Sequence, residues 1–469
     1  MTKILFRIAI LLLIILISCR KSEDANVPAS SESIYTILSS NTELSLFTNL
    51  INKTGYSDIL KSSQNYTVWA PSNDAIAQIS SEIPTDSAGL REFVGNYISR
   101  QIYTQVGYND KIQLLNGKYA TLGKDSFQYI PISQGDIPGE NGLLHILSRA
   151  ILTKMNISEY LNSLTTDIKE RDYLNSITYT YRDSSIREVV GYDTLNDKPL
   201  YNYTGPLLSG NKFTEQVRDL SNEKSNYTFF ILDDGVWETN LSQLQPYFKT
   251  STEDSTNNLA AFHSLKFLTI DSAYTNLENL PDSIVAVNGI KFHIDKNAVT
   301  KSYNASNGIV YHLNNWTVPL KTLLPTIYTQ GEYPTGFTDL SHSSAIFYRI
   351  KQDPNGITFR DLLINGVGVA QFYVHYSIPN VYSGKYRISW RSVIGGYDGL
   401  LSFRQRLAIG YWNATDFNYT TVSANNYNEV YIGDYTINHY GTLDVYIVSD
   451  NANTAGTISL DYLKMELDN

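Results

Sequence analysis

Three short sequence marks occur twice in this 469-residue chain, in the same order. The first is an aromatic and aliphatic run ending in helix-starting polar residues: TVWAPSNDAI at 67–76 and YTFFILDDGVWETN at 227–240. The second is a glycine turn, LNGK at 115–118 and VNGIKFHID at 287–295. The third is an Asn-Gly turn running into an apolar strand, NGLLHILSRAIL at 141–152 and SNGIVYHLNNWTVP at 306–319. An ordered recurrence at an offset of roughly 160–170 residues requires a duplicated structural unit rather than three coincidences. Ser72, Asn73 and Asp74 follow the first strand and can satisfy the orphan N–H groups of a helix start. In the preceding stretch, Leu46, Leu50, Ile51 and Tyr56 recur at helical spacing, with Asn41 or Thr42 available as a cap. The glycines of the two Asn-Gly pairs predict backbone with positive φ.

The marks of the first copy resemble the fasciclin domain. TVWAPSNDAI is similar to that family's first conserved box and NGLLHILSRAIL to its second. LREFVGNYI at 90–98 holds the place of the family's tyrosine-histidine motif, with Asn96 and Tyr97 where Tyr and His often stand. The resemblance implies an α+β domain at 33–153 and a second fasciclin-like domain at 154–325, each a β-wedge with helices. The second copy departs from the pattern between Leu164 and Lys212, where SITYTYRD, EVVGYDTL and PLYNYTG alternate tyrosine and branched residues between turn signals. This segment reads as inserted hairpins. His145 in the second box reads as a satisfied core histidine.

The pattern changes again after Pro325. Residues 326–340 read as a linker, and 341–469 as an all-β antiparallel sandwich or jelly roll. QFYVHYSIP, GKYRISWRSV, FRQRLAIGYW, NEVYIGDYT, GTLDVYIVS and GTISLDYLKMEL alternate apolar and polar residues between Gly, Asn and Asp clusters. GKYRISWR and ISLDYLKMEL resemble jelly-roll modules of the galactose-binding type. That resemblance implies a carbohydrate site made of aromatic rings and hydroxyl-satisfying polar groups. The candidate ligand-binding residues are Trp390, Arg391, Tyr397, Asp398, Arg404, Tyr411 and Trp412. For Trp390 and Trp412 the competing reading is a place in the sandwich core.

The N-terminus has a secretory layout: Lys3 and Arg7, an apolar run from Ile8 to Ile17, then Ser18 and Cys19. The run is too short to span a bilayer, which needs about 20 apolar residues. A cysteine after LIS resembles the lipobox of bacterial lipoproteins. This implies a signal peptide at 1–18, lipidation of Cys19 and a lipidated tether at 19–32. Arg20, Lys21, Ser22, Glu23 and Asp24 resemble the surface-export signal of Bacteroidetes lipoproteins. Asp86-Ser87-Ala88, Asp193-Thr194-Leu195, Asp271-Ser272-Ala273 and Asp282-Ser283-Ile284 resemble that phylum's O-glycosylation consensus, which makes Ser87, Thr194, Ser272 and Ser283 candidate acceptors.

Composition narrows the function. Cys19 is the only cysteine, so disulfides, zinc–thiolate sites and cysteine nucleophiles are excluded. The net charge of −10 disfavours nucleic acid, because phosphate contacts need clustered Lys and Arg. The 36 tyrosines favour strands and suit amphipathic recognition surfaces. No G-x-S-x-G elbow, H-E-x-x-H helix or P-loop occurs, and no two histidines stand at i, i+4. Asp-Pro-Asn-Gly at 353–356 is first of all a turn. The expectation is a non-enzymatic outer-membrane surface lipoprotein without cofactor or metal. It would contact the membrane through its lipid and mediate adhesion or protein–protein interaction with an outer-membrane or extracellular partner. The alternative is an accessory glycan-binding lipoprotein of a TonB-dependent, SusCD-type uptake system.

Overall fold

The computed structural model describes residues 31–105, 110–166, 168–395, 398–450 and 456–468. Cys19, the signal peptide and most of the tether lie outside the described residues, as does Tyr397. The chain divides into two compact units, one of residues 1–156 with 222–224 and one of 157–221 with 225–469.

The first unit is built on one seven-stranded sheet. Its strands are β1 (Tyr66–Pro71), β2 (Ile98–Ser99), β3 (Asp110–Gln113), β4 (Tyr119–Gly123), β5 (Ser126–Phe127), β6 (Ile130–Gly139) and β7 (Gly142–Leu147), in the order β2-β1-β7-β6-β5-β4-β3. The two sequence boxes become neighbours: β1 runs parallel to β7, Val68 opposite Leu144 and Trp69 opposite His145. Both strands are buried along their whole length. That is why they read as unbroken apolar runs rather than alternating ones. The helices Ile34–Ser40, Ser45–Lys53 and Tyr56–Leu60 cover this sheet, and Phe47 and Ile51 join its core. Ser72 caps the helix Asn73–Gln78 by accepting from Ala75 N–H, as its position after β1 predicts. Leu46, counted with the helical apolar positions, is instead exposed, because its neighbours Phe47 and Ile51 take the inward face.

The second unit contains the second set of marks. Strands β8 (Thr178–Arg182), β9 (Arg187–Asp193), β10 (Lys198–Tyr203) and β11 (Leu207–Asn211) form two two-stranded ladders, β9 with β10 and β8 with β11. Next come β12 (Tyr227–Leu232), β13 (Thr269–Ile270), the short pair β14 (Ile284–Val285) and β15 (Lys291–Phe292), β16 (Val299–Ala305) and β17 (Gly308–Leu313). The order β13-β12-β17-β16 repeats β2-β1-β7-β6 of the first unit, with β12 parallel to β17. Gly142 and Gly308 hold equivalent places, at φ 142° and 147°. A Cβ at either would fall within 2.0 Å of the Tyr66 or Tyr227 carbonyl oxygen, so only glycine lets the two parallel strands start this close.

The C-terminal part of this unit is a sandwich. Its strands are β18 (Ile327–Gln330), β19 (Gly336–Phe337), β20 (Ile346–Gln352), β21 (Thr358–Ile364), β22 (Tyr373–Val381), β23 (Gly384–Arg391), β24 (Ser402–Ile409), β25 (Thr420–Ser423), β26 (Val430–Ile437), β27 (Gly441–Ser449), β28 (Ile458–Leu460) and β29 (Tyr462–Leu467). They form sheets of order β18-β29-β23-β26, β19-β22-β27-β24-β25 and β20-β21-β28. The segment 326–340 is not a linker. It supplies β18 and β19, which pair with β29 and β22 at sheet edges. Both are short and lie beside Pro325 and Pro334, a combination that suits edges and hides strands from a reading based on length.

Candidate functional site

The inner and outer faces of the five-stranded sheet follow from strand alternation. On β22, Val374, Tyr376 and Ile378 point into the sandwich core, as does Phe372 just before it, so Tyr373, His375 and Ser377 face outward. On β27, Val445 and Ile447 are core, which turns Asp444 and Tyr446 outward. On β24, Leu407 and Ile409 are core, and Arg404, Arg406 and Ala408 lie on the outer face. Cross-strand register sets His375 opposite Tyr446 and Tyr446 opposite Ala408.

These residues make a continuous aromatic row. Trp412 stacks on Tyr373 with ring centroids 5.8 Å apart and planes 16° apart. Tyr373 meets Tyr446 edge-on at 5.3 Å. Tyr446 in turn stacks on His375 at 4.7 Å, with 16° between planes. His375 Nε2 lies 2.8 Å from Asp444 Oδ1, which fixes the ring at the end of the row. Trp412 is 39% exposed and the adjacent Tyr411 76%. Ala408 is fully buried beneath the row, so a small side chain forms its floor.

The loop that carries Tyr411 and Trp412 is held by backbone chemistry. Gly410 ends β24 at φ 79°, a conformation that favours glycine, and its N–H donates to Asp444 O. Arg406 then donates from Nη2 to Trp412 O at 3.0 Å and from Nη1 to Ala414 O. Its guanidinium lies 5.5 Å from the Tyr419 ring centroid. Tyr419 donates to Ser449 O, so the loop is tied to the sheet at both ends of the row.

The other candidates from sequence fall elsewhere. Trp390 is fully buried in the sandwich core, because β23 is a central strand with its tryptophan on the inner face; it is not available to a ligand. Arg391 is spent internally: Nη1 pairs with Asp461 at 2.7 Å, Nε donates to Tyr427 O, and the guanidinium sits over Phe359. Burial pushes the Asp461 carboxyl up to about 6, with Arg391 opposing. Asp398 is likewise engaged, receiving Arg349 Nη1 at 2.6 Å, Lys351 Nζ at 3.1 Å and Gly395 N–H at 2.8 Å. Burial favours its neutral form, yet the Gly395 N–H, Lys351 and Arg349 together hold its pKa below the ordinary value. Arg404 is half exposed and pairs with Asp450 at 2.5 Å beside Tyr419. Among the described candidates, only Tyr411 and Trp412, with Arg404 at the margin, therefore belong to the exposed face. They sit beyond the end of β24, where the strand pattern had extended through them. Sequence reading missed Tyr373, His375 and Tyr446; the signal for them was the outward phase of two strands whose inward phase is apolar.

Asp353 accepts from Asn355 N–H and Ile357 N–H, which makes Asp-Pro-Asn-Gly a turn. Among the described residues, no group of three or more His, Cys, Asp and Glu side chains could hold a metal ion. No helix of the described residues is long and apolar enough to cross a membrane.

The first unit carries its own decisive feature, the parallel pairing of two sequence boxes beneath three N-terminal helices. Residues 42–153 match the Fasciclin domain family. No curated protein matches the chain. Among solved structures, the FAS1 domain pair of the insect cell adhesion molecule Fasciclin I is 15% identical, at a TM-score of 0.23, covering 60% of this chain and 98% of that one. The CBM36-1 domain of a multidomain xylanase from the hindgut metagenome of Trinervitermes trinervoides is 16% identical, at a TM-score of 0.21, covering 31% of this chain and 99% of that one. A family 35 carbohydrate binding module from Clostridium thermocellum is 15% identical, also at 0.21, covering 30% and 97%.

In the fasciclin domain, Tyr97 is fully buried; its hydroxyl donates to Ile151 O and accepts from Ile151 N–H. Asn96 is buried beside it, so neither residue forms a surface motif. His145 is buried between Asp136 N–H at Nδ1 and Tyr103 O at Nε2, and its ring stacks on Trp69. Burial lowers its pKa, as expected of a core imidazole. Of the candidate acceptor hydroxyls, Ser87, Thr194 and Ser272 are exposed, while Ser283 is half-buried with Oγ 3.4 Å from His293 Nε2. Asp86 of the first motif caps the helix Ser87–Gly95 by accepting from Gly89 N–H.

Proposed function

We propose that this protein is a non-enzymatic, lipid-anchored surface protein that adheres through its C-terminal sandwich to carbohydrate. The observation that carries this reading is the outward row Trp412–Tyr373–Tyr446–His375. Aromatic faces of this kind pack against the apolar C–H faces of sugar rings, and flanking polar groups take the hydroxyls. Arg404 and Asp444 flank the row and present such groups. Its open shape suits an extended or terminal glycan lying along the sheet. The fasciclin domain, of a family associated with adhesion and protein contact, and the second set of marks at 154–325, which we read as a second fasciclin-like domain, serve as the protein-binding part. Lipidation at Cys19 holds the chain at the outer membrane, facing outward. The candidate glycosylation of Ser87, Thr194 and Ser272 belongs to the same extracellular setting.

A glycan array followed by calorimetry on the full chain tests the reading. Binding is expected, and it falls at least tenfold in Trp412→Ala and in Tyr373→Ala while Trp390→Phe leaves it unchanged. An array without any hit overturns it. Co-purification of a TonB-dependent transporter with the native protein would assign the same platform to glycan uptake rather than to adhesion.

A further inference from the structure

Residues 178–211 form an arm. The β8–β11 ladder is continued by the β9–β10 ladder, with Thr204 N–H and Gly205 N–H donating to Ile186 O at the junction. The arm consists of two chains of strand with no third strand among the described residues. Such a ribbon is marginal in water by itself. This one carries eleven of the 26 exposed large apolar side chains of the described residues, among them Val189, Val190, Tyr192, Leu200 and Leu207. A concentration of that kind marks a surface built to be covered.

The two long edges of the arm are not alike. β10 opens with Lys198 and Pro199, a guarded edge in which proline withholds a donor. β9, Arg-Glu-Val-Val-Gly-Tyr-Asp, has neither lysine nor proline. Its sequence is also complementary to itself. Placed antiparallel to a second copy about a twofold axis through Val190, Arg187 meets Asp193, Glu188 meets Tyr192, and Val189 meets Gly191. Each ion pair then occurs twice, as an isologous interface requires. Val190 is the extra residue where the β9–β10 register shifts. It lies on the axis, where symmetry sets it against itself, so the bulge displaces no other pair.

Three of the eleven, Val189, Val190 and Tyr192, lie on β9 itself and are 53%, 63% and 63% exposed. We propose that the outer edge of β9 is a dimerisation surface, occupied by β9 of a second copy of this chain in antiparallel register about Val190.

Sedimentation velocity on the full chain carrying Cys19→Ser tests this. A concentration-dependent dimer is expected. Arg187→Asp weakens it at least tenfold, and Arg187→Asp with Asp193→Arg restores it, with circular dichroism unchanged throughout. In the same background Val190→Cys is the only thiol, and mild oxidation should give a covalent dimer. Leu195→Cys, at the 91% exposed tip of the arm, should not. A chain that sediments as a monomer at every concentration, a dimer indifferent to Arg187→Asp, or equal cross-linking at Leu195→Cys each overturns the proposal.

Discussion

Asn141 and Asn307 do the same work in two sheets. Asn141 Oδ1 accepts from Ile34 N–H and Asn307 Oδ1 from Ile157 N–H, each at 2.9 Å. Asn141 Nδ2 donates to Leu60 O at 2.8 Å and Ser62 O at 2.7 Å, and Asn307 Nδ2 to Leu220 O at 2.8 Å. Each carboxamide therefore pins a helix start and a distant carbonyl to the mouth of a parallel strand pair. The two asparagines are more than turn formers: both are buried, and the positive φ belongs to the glycines that follow.

Asn141→Ala should destabilise the first unit by about 2–4 kcal/mol, since it strands a buried N–H and two carbonyls. Asn141→Asp should do little better, because a carboxylate keeps the acceptor for Ile34 but faces the Leu60 and Ser62 carbonyls without a donor. Denaturant unfolding followed by tryptophan fluorescence measures both. A loss under 1 kcal/mol for Asn141→Ala would count against the latch.

How much of this was legible in the sequence depended on whether a signal was local. The strands β1, β7, β12 and β17 are continuous apolar runs and declared themselves. The Asn-Gly pairs showed where a turn lies, but the reach of Asn141 to Leu60 spans 81 positions, and no local pattern encodes it. Strands β18 and β19 read as linker in sequence because four and two residues are too few to show alternation. Among site residues, Trp412 was legible as an aromatic at the end of an alternating strand. Arg391 and Asp398 have the chemistry of ligand contacts, and only the fold reveals Asp461, Arg349 and Lys351 as the partners that consume it.

Arg406 should prove a positioning residue for the aromatic row. Its guanidinium lies beside Tyr419 and holds the carbonyls of Trp412 and Ala414. Arg406→Met keeps the buried stem but frees the loop. The expected result is weaker glycan binding by roughly tenfold with altered Trp412 fluorescence, while Arg406→Lys recovers part of it. Unchanged binding in Arg406→Met would remove the role.

Asp398 and Asp361 separate a structural reading from a ligand-binding one. Asp361 is fully buried and receives Arg349 Nε at 2.8 Å, while the same guanidinium reaches Asp398. Arg349→Ala leaves a buried carboxylate without its cation and should cost about 3–5 kcal/mol. Asp398→Asn should cost less, and it should not change glycan binding by more than twofold. Calorimetric melting beside the binding assay checks both; a glycan affinity that collapses in Asp398→Asn while the melting temperature holds would return Asp398 to the site.

Glu170 should make the second unit less stable as the medium becomes more alkaline. It is fully buried in the helix Lys169–Ser176, where Oε1 accepts from Leu232 N–H at 2.7 Å and Oε2 has no hydrogen-bond partner among the described residues. Burial pushes its pKa up to about 8; the Leu232 N–H opposes this, and the charges of Asp234 and Asp233 add to it. A carboxyl whose pKa is higher in the fold than in the unfolded chain keeps its proton where the unfolded chain has already released it. Between these two values the unfolded state binds fewer protons, so stability falls as pH rises from about 4.5 to about 8. Glu170→Gln keeps the shape and the neutral form. It should flatten this slope and stabilise the protein at pH 8 by on the order of 3 kcal/mol. Chemical denaturation at pH 5 and pH 8 measures the difference. If wild type and Glu170→Gln lose stability in parallel between those values, the buried proton on Glu170 is not the cause.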